Sequence, residues 1–293
     1  MNSKQKISFN KIGIWADFDI AKISSLADQA IRLLENLSIA YEKLHYKSFG
    51  NSNQTIKLSG FDLIVTIGGD GTLLSAAQNC ARQGIPLLGI NLGRIGFLTD
   101  IAPDEFEKTL TDILQGNYLE EKRDLLSARL IHNGECVAEG AALNDITVKV
   151  NTGGRMQDFA TYINDQFVNY HAGDGVIVTS PTGSTAYALS CGGPIIEPSV
   201  QALAVVPICP HSLSDRPIVV KSDSQIKIKL QPRFDDEADI SCDGNTIGAL
   251  NADNELIIET SKLAINLLHS PEHDFYASLR SKLSYGANQS NQS

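Results

Sequence analysis

The sequence lacks the features of secreted, membrane-bound and nucleic-acid-binding proteins. Its five cysteines are scattered over 293 residues without a CxxC pair, so we expect neither a disulfide framework nor structural zinc. No run approaches the roughly 18 apolar residues of a membrane span, and the N-terminus has no apolar signal-peptide core. Basic residues are scarce, since 24 Lys and Arg face 34 Asp and Glu and the formal net charge is −10. We therefore expect a cytoplasmic protein that binds neither membranes nor nucleic acid.

Two common nucleotide-binding signatures are also missing. The sequence has no GxxxxGK[ST], which excludes a P-loop enzyme, and no GxGxxG, which excludes the ordinary dinucleotide fingerprint. Any nucleotide must therefore be bound in another way. The composition is otherwise that of a globular protein, with 42% hydrophobic residues, and the length allows one large or two moderate domains.

The first 120 residues alternate between strand and helix patterns. Strands are predicted at 11–16, 61–67 and 85–90, and helices at 22–39, 72–83 and 103–115. This alternation predicts an α/β domain with a doubly wound parallel sheet. Ligands of such sheets bind outside the carboxyl ends of the strands.

Beyond residue 120 the pattern changes to short strands. They are predicted at 125–131, 175–180, 217–221, 225–230, 238–242, 255–260 and 263–268, with hairpin turns at Asn133-Gly134 and Asn164-Asp165. Helical spacing returns at 274–283, with Phe275, Leu279 and Leu283 on one face. We therefore predict an α/β domain of residues 1–120, completed by 271–293 and a C-terminal helix that packs back on it, and a β-rich domain of residues 121–270.

The most informative stretch is residues 61–75, where an apolar, β-branched strand ends in glycines that surround Asp70. A strand that stops in glycines and restarts as a helix presents bare backbone N–H groups beside a positive helix end, which favours anion binding. The Asp70 carboxylate would repel phosphate, so we expect it to hold a cation or to accept a proton from a hydroxyl. Alternatively, Asp70 only caps the helix while the glycines form a turn. The 91–97 loop is expected at the same edge of the sheet.

A second segment rich in glycine and hydroxyl groups covers residues 173–193. A predicted strand enters a loop with Thr182, Ser184 and Thr185, followed by Tyr187, whose ring could cover a base. This density of hydroxyls favours ligand contact over a simple capped helix. Asn144 and Asp145 interrupt an apolar strand context, either as a β-bulge or to present polar groups to a sugar or a base edge.

His269 and His273 have the i, i+4 spacing of helical metal ligands. Pro271 lies between them and would interrupt one continuous helix, so a metal site is not the favoured interpretation.

Together, these segments resemble the NAD kinase family. The matching segments are 68–72, 91–99, Asn144-Asp145, 180–187, 192–194 and 210–217, in the family's order between residue 61 and about residue 283. The 68–72 signature alone is also similar to phosphofructokinases and diacylglycerol-type lipid kinases, whereas the 180–187 segment is far more specific. The resemblance implies an N-terminal α/β domain and a C-terminal β domain in a homo-oligomer, a dimer or a tetramer.

The resemblance also implies the reaction and its residues. The γ-phosphoryl group of ATP would be transferred to the 2′-hydroxyl of the adenosine ribose of NAD, giving NADP, with a divalent metal, Mg²⁺, supplied with ATP. The implied catalytic residue is Asp70, which orients or deprotonates the hydroxyl. The implied binding residues are Gly71 and Thr72 for phosphate, Asn144 and Asp145 for the adenosine ribose and base, Asp174 at the nicotinamide side, and Thr185, Ala186, Tyr187 and Ser190 around adenine. Many relatives carry glutamate in place of Asp145, whose side chain is one methylene shorter.

Two other functions fit parts of the sequence. A lipid or sugar kinase would share the 68–72 turn, but a lipid kinase should display an apolar groove. A non-catalytic module that senses NAD(H) or NADP(H) would bind dinucleotide without ATP turnover. The presence of both Asp70 and the phosphate-type turn favours the enzyme.

Overall fold

The computed structural model describes residues 8–45, 56–93, 96–99, 101–150, 156–231 and 237–283. Arg94 and Ile95 of the predicted 91–99 loop, and residues 284–293 of the predicted first domain, lie outside the described residues. The chain divides into two compact units, one made of the residues up to Lys122 with those from Ile265 onward, the other of Arg123–Ala264. The division into domains at 120/121 and 270/271 stays a prediction.

The first unit contains a parallel sheet with helices between its strands. Its elements are β1 (Lys11–Ala16), α1 (Ala21–Asn36), β2 (Ala40–His45), β3 (Leu63–Ile67), α2 (Asp70–Gln83), β4 (Leu87–Ile90) and α3 (Phe106–Leu114). The strands are ordered β2-β1-β3-β4, and each neighbouring pair is parallel.

Helices cover both faces of this sheet. Ile14 of β1 and Val65 of β3 belong to one core with the buried residues of α1 and α3. Successive strand residues point to opposite faces, and Trp15 accordingly donates its indole N–H to Ser75 Oγ of α2 at 2.8 Å. The sheet is therefore doubly wound, which confirms the predicted fold class. None of the helices in the described part of the chain is long and apolar enough to cross a membrane.

The predicted elements of this unit are present, with shifted ends. Helix α2 begins at Asp70, two residues earlier than predicted, and α3 begins at Phe106, three residues after Pro103. Gly84 ends α2 in the left-handed conformation with φ 66°, as expected of a C-cap glycine. Strand β2 was not predicted, because only Leu44 of its six residues is buried and no apolar pattern marks it.

The second unit is built almost entirely of strands. They are β5 (Leu119–His132), β6 (Glu135–Ala142), β7 (Asp145–Val150), β8 (Gln157–Ile163), β9 (Gln166–Gly173), β10 (Gly175–Thr179), β11 (Ala202–Ile208), β12 (Ile218–Lys221), β13 (Ile226–Gln231), β14 (Ala238–Cys242), β15 (Asn245–Leu250) and β16 (Asn254–His269). Residues 119–122 of β5 and 265–269 of β16 belong to the first unit. One sheet has the order β12-β11-β10-β7-β14-β15, and in the other β16, β13, β8 and β9 are successive neighbours. The short helix α4 (Tyr187–Ser190) follows a 3-10 turn at Thr182–Thr185. The prediction of a β-rich fold for the C-terminal half of the chain is thus confirmed.

Both predicted hairpin turns are present. Asn133 and Gly134 have φ of 51° and 82°, and Asn164 and Asp165 have 50° and 61°. Positive φ at both central residues defines the type I′ turn that matches the twist of the flanking strands. The strands predicted separately at 255–260 and 263–268 form the single strand β16.

Strand β16 reaches the first unit at its C-terminal end, where residues 267 and 268 pair in parallel with Leu87 and Leu88 of β4. Helix α5 (Phe275–Leu283) follows, and its Phe275 ring lies 6.4 Å from the Phe97 ring. The predicted return of this helix to the first unit is therefore confirmed. Its predicted apolar face is wrong at one position, since Leu279 is buried but Leu283 is 37% exposed.

Candidate active site

The glycine turn after β3 lies at the carboxyl edge of the parallel sheet. Ala16, the last residue of β1, is paired with Ile67, the last residue of β3. The chain leaves β1 toward β2 and leaves β3 toward β4, so the two strands form the switch point at which doubly wound sheets bind ligands. Gly69 is the N-cap of α2 and Asp70 is its first residue.

The Asp70 carboxylate binds the loop that follows β4. Its Oδ2 accepts the Phe97 N–H at 3.0 Å, and its Oδ1 accepts the N–H groups of Leu98 and Thr99, each at 3.2 Å. Oδ1 also accepts the Thr99 hydroxyl at 2.9 Å. Helix α2 has no side-chain cap hydrogen bond, so Asp70 does not cap its own helix.

One oxygen of Asp70 is crowded and the other is more open. Oδ1 receives three hydrogen bonds, whereas Oδ2 receives one and has Lys282 Nζ of α5 at 3.6 Å. A Cβ atom on Gly96 would collide with Asp70 Oδ1, so the loop reaches the carboxylate only because residue 96 is glycine. We conclude that Oδ2 is the oxygen that a further group can approach.

The neighbouring turn residues leave the backbone accessible. Apart from chain neighbours and the helix's own backbone, no atom of the described residues lies within 4 Å of where a Cβ atom would be on Gly69 or Gly71. Thr72 donates its backbone N–H to the Gly69 carbonyl at 2.9 Å, which closes the first turn of α2. The open glycine backbone at a helix start is the arrangement expected of a phosphate-binding turn.

In the second unit, Asn144 lies in the short connection between β6 and β7, and Asp145 is the first residue of β7, so the pair does not form a bulge. The Asp243 carboxylate holds this connection by accepting three backbone N–H groups, those of Leu143 at 2.6 Å, Asn144 at 2.8 Å and Asp145 at 3.2 Å. The buried Asn144 Oδ1 has no hydrogen-bond partner among the described residues. An unsatisfied buried amide oxygen next to a turn is available to a ligand donor.

Two carboxylates are buried together here. Burial, with a smaller contribution from Asp243, raises the pKa of Asp145 to about 7. Burial also raises the pKa of Asp243, against the opposing effect of its three backbone hydrogen bonds. Asp243 is not among the site residues predicted from the sequence. The Asp243-Gly244 turn between β14 and β15, with φ of 46° and 80°, is the signal that could have drawn attention to it.

The hydroxyl-rich turn after β10 packs directly on this connection. Ser180 donates its N–H to the Asn144 carbonyl at 2.9 Å and its hydroxyl to the Leu143 carbonyl at 2.6 Å. A Cβ atom on Gly183 would collide with the Asn144 backbone, so close packing requires glycine there. The structure therefore brings the 144–145 and 180–187 segments together.

Not all the hydroxyls of this turn are displayed to solvent. The Ser184 hydroxyl donates to the Pro181 carbonyl at 2.7 Å and accepts the Ile196 N–H at 3.0 Å, and the Thr182 hydroxyl accepts from Arg123 Nη1 at 3.1 Å. These two hydroxyls therefore hold the turn, and the ligand contact expected of this segment stays a prediction.

The remaining residues predicted to line the adenine pocket, and Asp174, predicted at the nicotinamide side, are accessible. Thr185 and Ala186 are half-buried, while Tyr187, Ser190 and Asp174 are exposed. Partial burial is the main cause of the raised pKa of Tyr187, with smaller contributions from Cys191, Cys209 and Asp174. The exposed ring of Tyr187 is free to stack against a flat ligand.

A separate pocket of about 460 Å³ involves the 210–217 segment. It is lined by Thr161, Val168, Asn169, His171, Val205, Pro207, Ser214, Asp215, Arg216, Pro217 and Ile218. None of the residues predicted to bind NAD or ATP lines it.

Among the described residues, two groups of three side chains could hold a metal ion. Asp17, Asp19 and His45 follow or end β1 and β2 at the carboxyl edge of the parallel sheet. The second group is Glu121, His269 and His273.

Comparisons with known proteins agree on one family. The model of the ATP-NAD kinase N-terminal domain matches residues 22–118, and that of the C-terminal domain matches residues 143–270. An NAD kinase of Ectopseudomonas mendocina is 44% identical over 226 residues, 77% of each chain, and one of Saccharophagus degradans is 45% identical over 226 residues, again 77% of each chain.

Two solved structures share the fold. A yeast NADH kinase complexed with NADH superposes with a TM-score of 0.80 at 22% identity, covering 96% of this chain and 89% of that one. An NAD kinase from Archaeoglobus fulgidus in complex with ATP has a TM-score of 0.73 at 26% identity, covering 92% of this chain and 99% of that one. Fold and sequence thus define a phosphotransferase that uses a nucleotide donor. The chain belongs to the NAD kinase family, and its reaction is the ATP-dependent phosphorylation of NAD.

Proposed function

We propose that this NAD kinase transfers the γ-phosphoryl group of ATP to the 2′-hydroxyl of the adenosine ribose of NAD, with Asp70 as the group that receives the hydroxyl. The observation that carries the proposal is the Asp70 carboxylate, fixed by four hydrogen bonds beside an open glycine turn at the switch point of the sheet. Phosphoryl transfer needs in-line placement and charge neutralisation more than covalent help from the protein.

The geometry of Asp70 suits the role of a positioned base. Three hydrogen bonds on Oδ1 fix the plane of the carboxylate, and the more open Oδ2 is left to accept the hydroxyl of the ribose. The ribose 2′-oxygen attacks the γ-phosphorus while its proton passes to Asp70 Oδ2. ADP leaves from the opposite side of the phosphorus. Gly71, through its backbone N–H at the start of α2, and Thr72, through its side-chain hydroxyl, would bind the phosphates.

We propose Mg²⁺ as the divalent metal, supplied with ATP. Mg²⁺ prefers oxygen ligands and is usually held by one or two carboxylates together with phosphate oxygens. Asp17 and Asp19 are candidate carboxylate ligands, because they follow β1 at the switch point. The metal would neutralise charge on the transferred group.

The dinucleotide would be held in the second unit. Asn144 offers an amide oxygen without a hydrogen-bond partner, and the neighbouring Asp145 is a carboxyl group that, with a pKa of about 7, can donate or accept a hydrogen bond. We propose that these two bind the adenosine ribose and base. Thr185, Ala186, Tyr187 and Ser190 would line the adenine pocket, and Asp174 would contact the nicotinamide side.

We further propose a cytoplasmic homo-oligomer. All five cysteines are free thiols, as is usual in a reducing compartment. Strands β9 and β12 each end the strand order of a sheet, and they carry exposed apolar side chains, with Phe167, Tyr170 and Val219 each at least 50% exposed. Exposed apolar edge strands are typical of surfaces that pair with another copy.

The test is a coupled assay for NADP formation from ATP, Mg²⁺ and NAD. Parallel reactions with labelled ATP offer diacylglycerol or fructose 6-phosphate as acceptors. We expect phosphorylation of NAD alone. Binding of NAD without turnover would indicate a sensing module, and phosphorylation of either other acceptor would overturn the proposal.

A further inference from the structure

Three potential metal ligands from distant parts of the first unit meet at the end of β16. His269 is the last residue of β16 and is 1% exposed, and Glu121 lies on β5. The chain then turns back at once, with the His273 N–H donating to the Ser270 carbonyl at 3.0 Å. The turn that contains Pro271 therefore brings together two histidines that no helix aligns.

The geometry of this cluster is close to a coordination sphere. The ligand atoms of Glu121, His269 and His273 lie within 4.8 Å of one another. His269 Nε2 is 3.3 Å from Glu121 Oε2, and the two imidazole rings are stacked with centroids 4.0 Å apart. Two ligands of a tetrahedral ion, each about 2.0–2.1 Å from it, are separated by about 3.3 Å.

The ligand types select the metal. Imidazole nitrogen suits Zn²⁺ and its neighbours in the first transition row, whereas Mg²⁺ takes oxygen ligands. Two histidines and one glutamate also form a well-known zinc ligand set, with a fourth position left for water. We propose that Glu121, His269 and His273 bind one Zn²⁺ ion, at a site separate from the Mg²⁺ that accompanies ATP.

The position of the site gives the ion a consequence for the active site. His273 stands two residues before α5, and the same helix carries Phe275 and Lys282. Phe275 packs against Phe97, and Lys282 lies 3.6 Å from Asp70 Oδ2. A metal that fixes the turn before α5 therefore restrains the helix that contacts Asp70 and its loop.

The proposal is tested by metal binding to the full chain after it has been stripped with a chelator. Competition of Zn²⁺ with a chromophoric chelator should reveal one tight site per chain. His273→Ala should lower the Zn²⁺ affinity by at least about tenfold, because removing even a residue that only hydrogen-bonds to a metal ligand lowers metal affinity by about that factor. Glu121→Gln should also weaken it. The matched control is Glu120→Gln, because the Glu120 carboxylate accepts a hydrogen bond from Asn266 Nδ2 and is not part of the cluster. The Zn²⁺ affinity of this variant should equal that of the wild type.

Two further measurements separate this site from others. Bound Co²⁺ should show tetrahedral d–d absorption without thiolate charge transfer, because the ligands are nitrogen and oxygen rather than cysteine. Zn²⁺ should slow amide hydrogen exchange in residues 274–283 of the wild type but not of His273→Ala. Three results would overturn the proposal: equal Zn²⁺ affinity in His273→Ala and the wild type, a thiolate signature from Co²⁺, or no Zn²⁺ site tighter than millimolar. The cluster would then be only an ion pair between His269 and Glu121 and a ring stack between the two histidines.

Discussion

The role of a single carboxylate depends on which atoms surround it, and Asp70 shows this most clearly. Its neighbours in sequence are glycines, yet the groups that fix it come from residues 97–99. A strand that ends in glycines predicted a ligand site at this residue. The hydrogen bonds to the loop after β4 could not be predicted, because they depend on how two neighbouring strands end.

Asp70→Asn should fold and lose most of its activity. The amide oxygen can still accept the Leu98 and Thr99 N–H groups, but it cannot take up a proton, and a positioned base contributes about 10²–10⁴-fold to the rate. The measurement is kcat for NADP formation, with the thermal midpoint as a check on folding. Asp165→Asn, at an exposed hairpin turn, serves as the control and should keep wild-type kcat. Unchanged turnover in Asp70→Asn would remove this residue from the mechanism.

Asp145 should give the protein a dependence of stability on pH. Its folded pKa of about 7 lies above the ordinary value of 3.8, so the folded state binds more protons between these values. The free energy of unfolding should therefore fall as pH rises from about 4 to about 7, by an amount on the order of a few kcal/mol.

Urea unfolding of the wild type and of Asp145→Asn at about pH 5 and pH 8 checks this expectation. The variant carries no ionisable group at this position, so its stability should change less between the two pH values, with Asp243 titrating in both proteins. An equal pH dependence in the two proteins would assign the effect to other groups.

At the scale of elements, apolar periodicity located the helices and most strands but not their pairing. The apolar strands β1, β3 and β4 were predicted because their residues are buried on both faces. Strand β2 lies at an edge with one buried residue, so its sequence carries no such signal. The proline between His269 and His273 does exclude a helix, but a tight turn brings the two rings together. Spacing rules for ligands assume regular elements, and they fail at turns.

Helix α5 offers a direct test of its buried face. Leu279 is 5% exposed and Leu283 is 37% exposed. Leu279→Ala should lower the free energy of unfolding by about 2–4 kcal/mol, since it leaves a cavity, while Leu283→Ala should change it by less than about 0.5 kcal/mol. Thermal and urea denaturation of the two variants provide the comparison. Equal losses would mean that both leucines face the core, as the sequence pattern had suggested.

At the scale of the whole molecule, the exposed apolar edges predict association. Replacing Phe167 and Tyr170 on β9 with serine should shift the protein toward monomer, because these aromatic side chains are 50% and 57% exposed. Light scattering after size-exclusion chromatography measures the mass directly. Replacing Glu107 and Lys108 of α3, both exposed and charged, with serine is a control that should leave the mass unchanged. A monomeric wild type would contradict the prediction.

The fold class could be predicted from alternating patterns, whereas the path of β16 could not. This strand was read as two short ones, yet it runs unbroken from pairing with β13 to pairing with β4. Its pairing with β4 joins residues 180 positions apart in the chain, 87–88 and 267–268, and short-range sequence patterns do not identify such distant partners.

The position of β16 in the chain also determines when the first unit can complete its folding during synthesis. The parallel sheet of the first unit gains its neighbour to β4 only when residues 267 and 268 have left the ribosome. Until then, the apolar edge of β4 lacks this neighbour, because the pairing residues follow β4 by 180 positions in the chain. A nascent chain stalled before that point would carry the glycine turn but neither the final strand nor the helix whose lysine reaches Asp70.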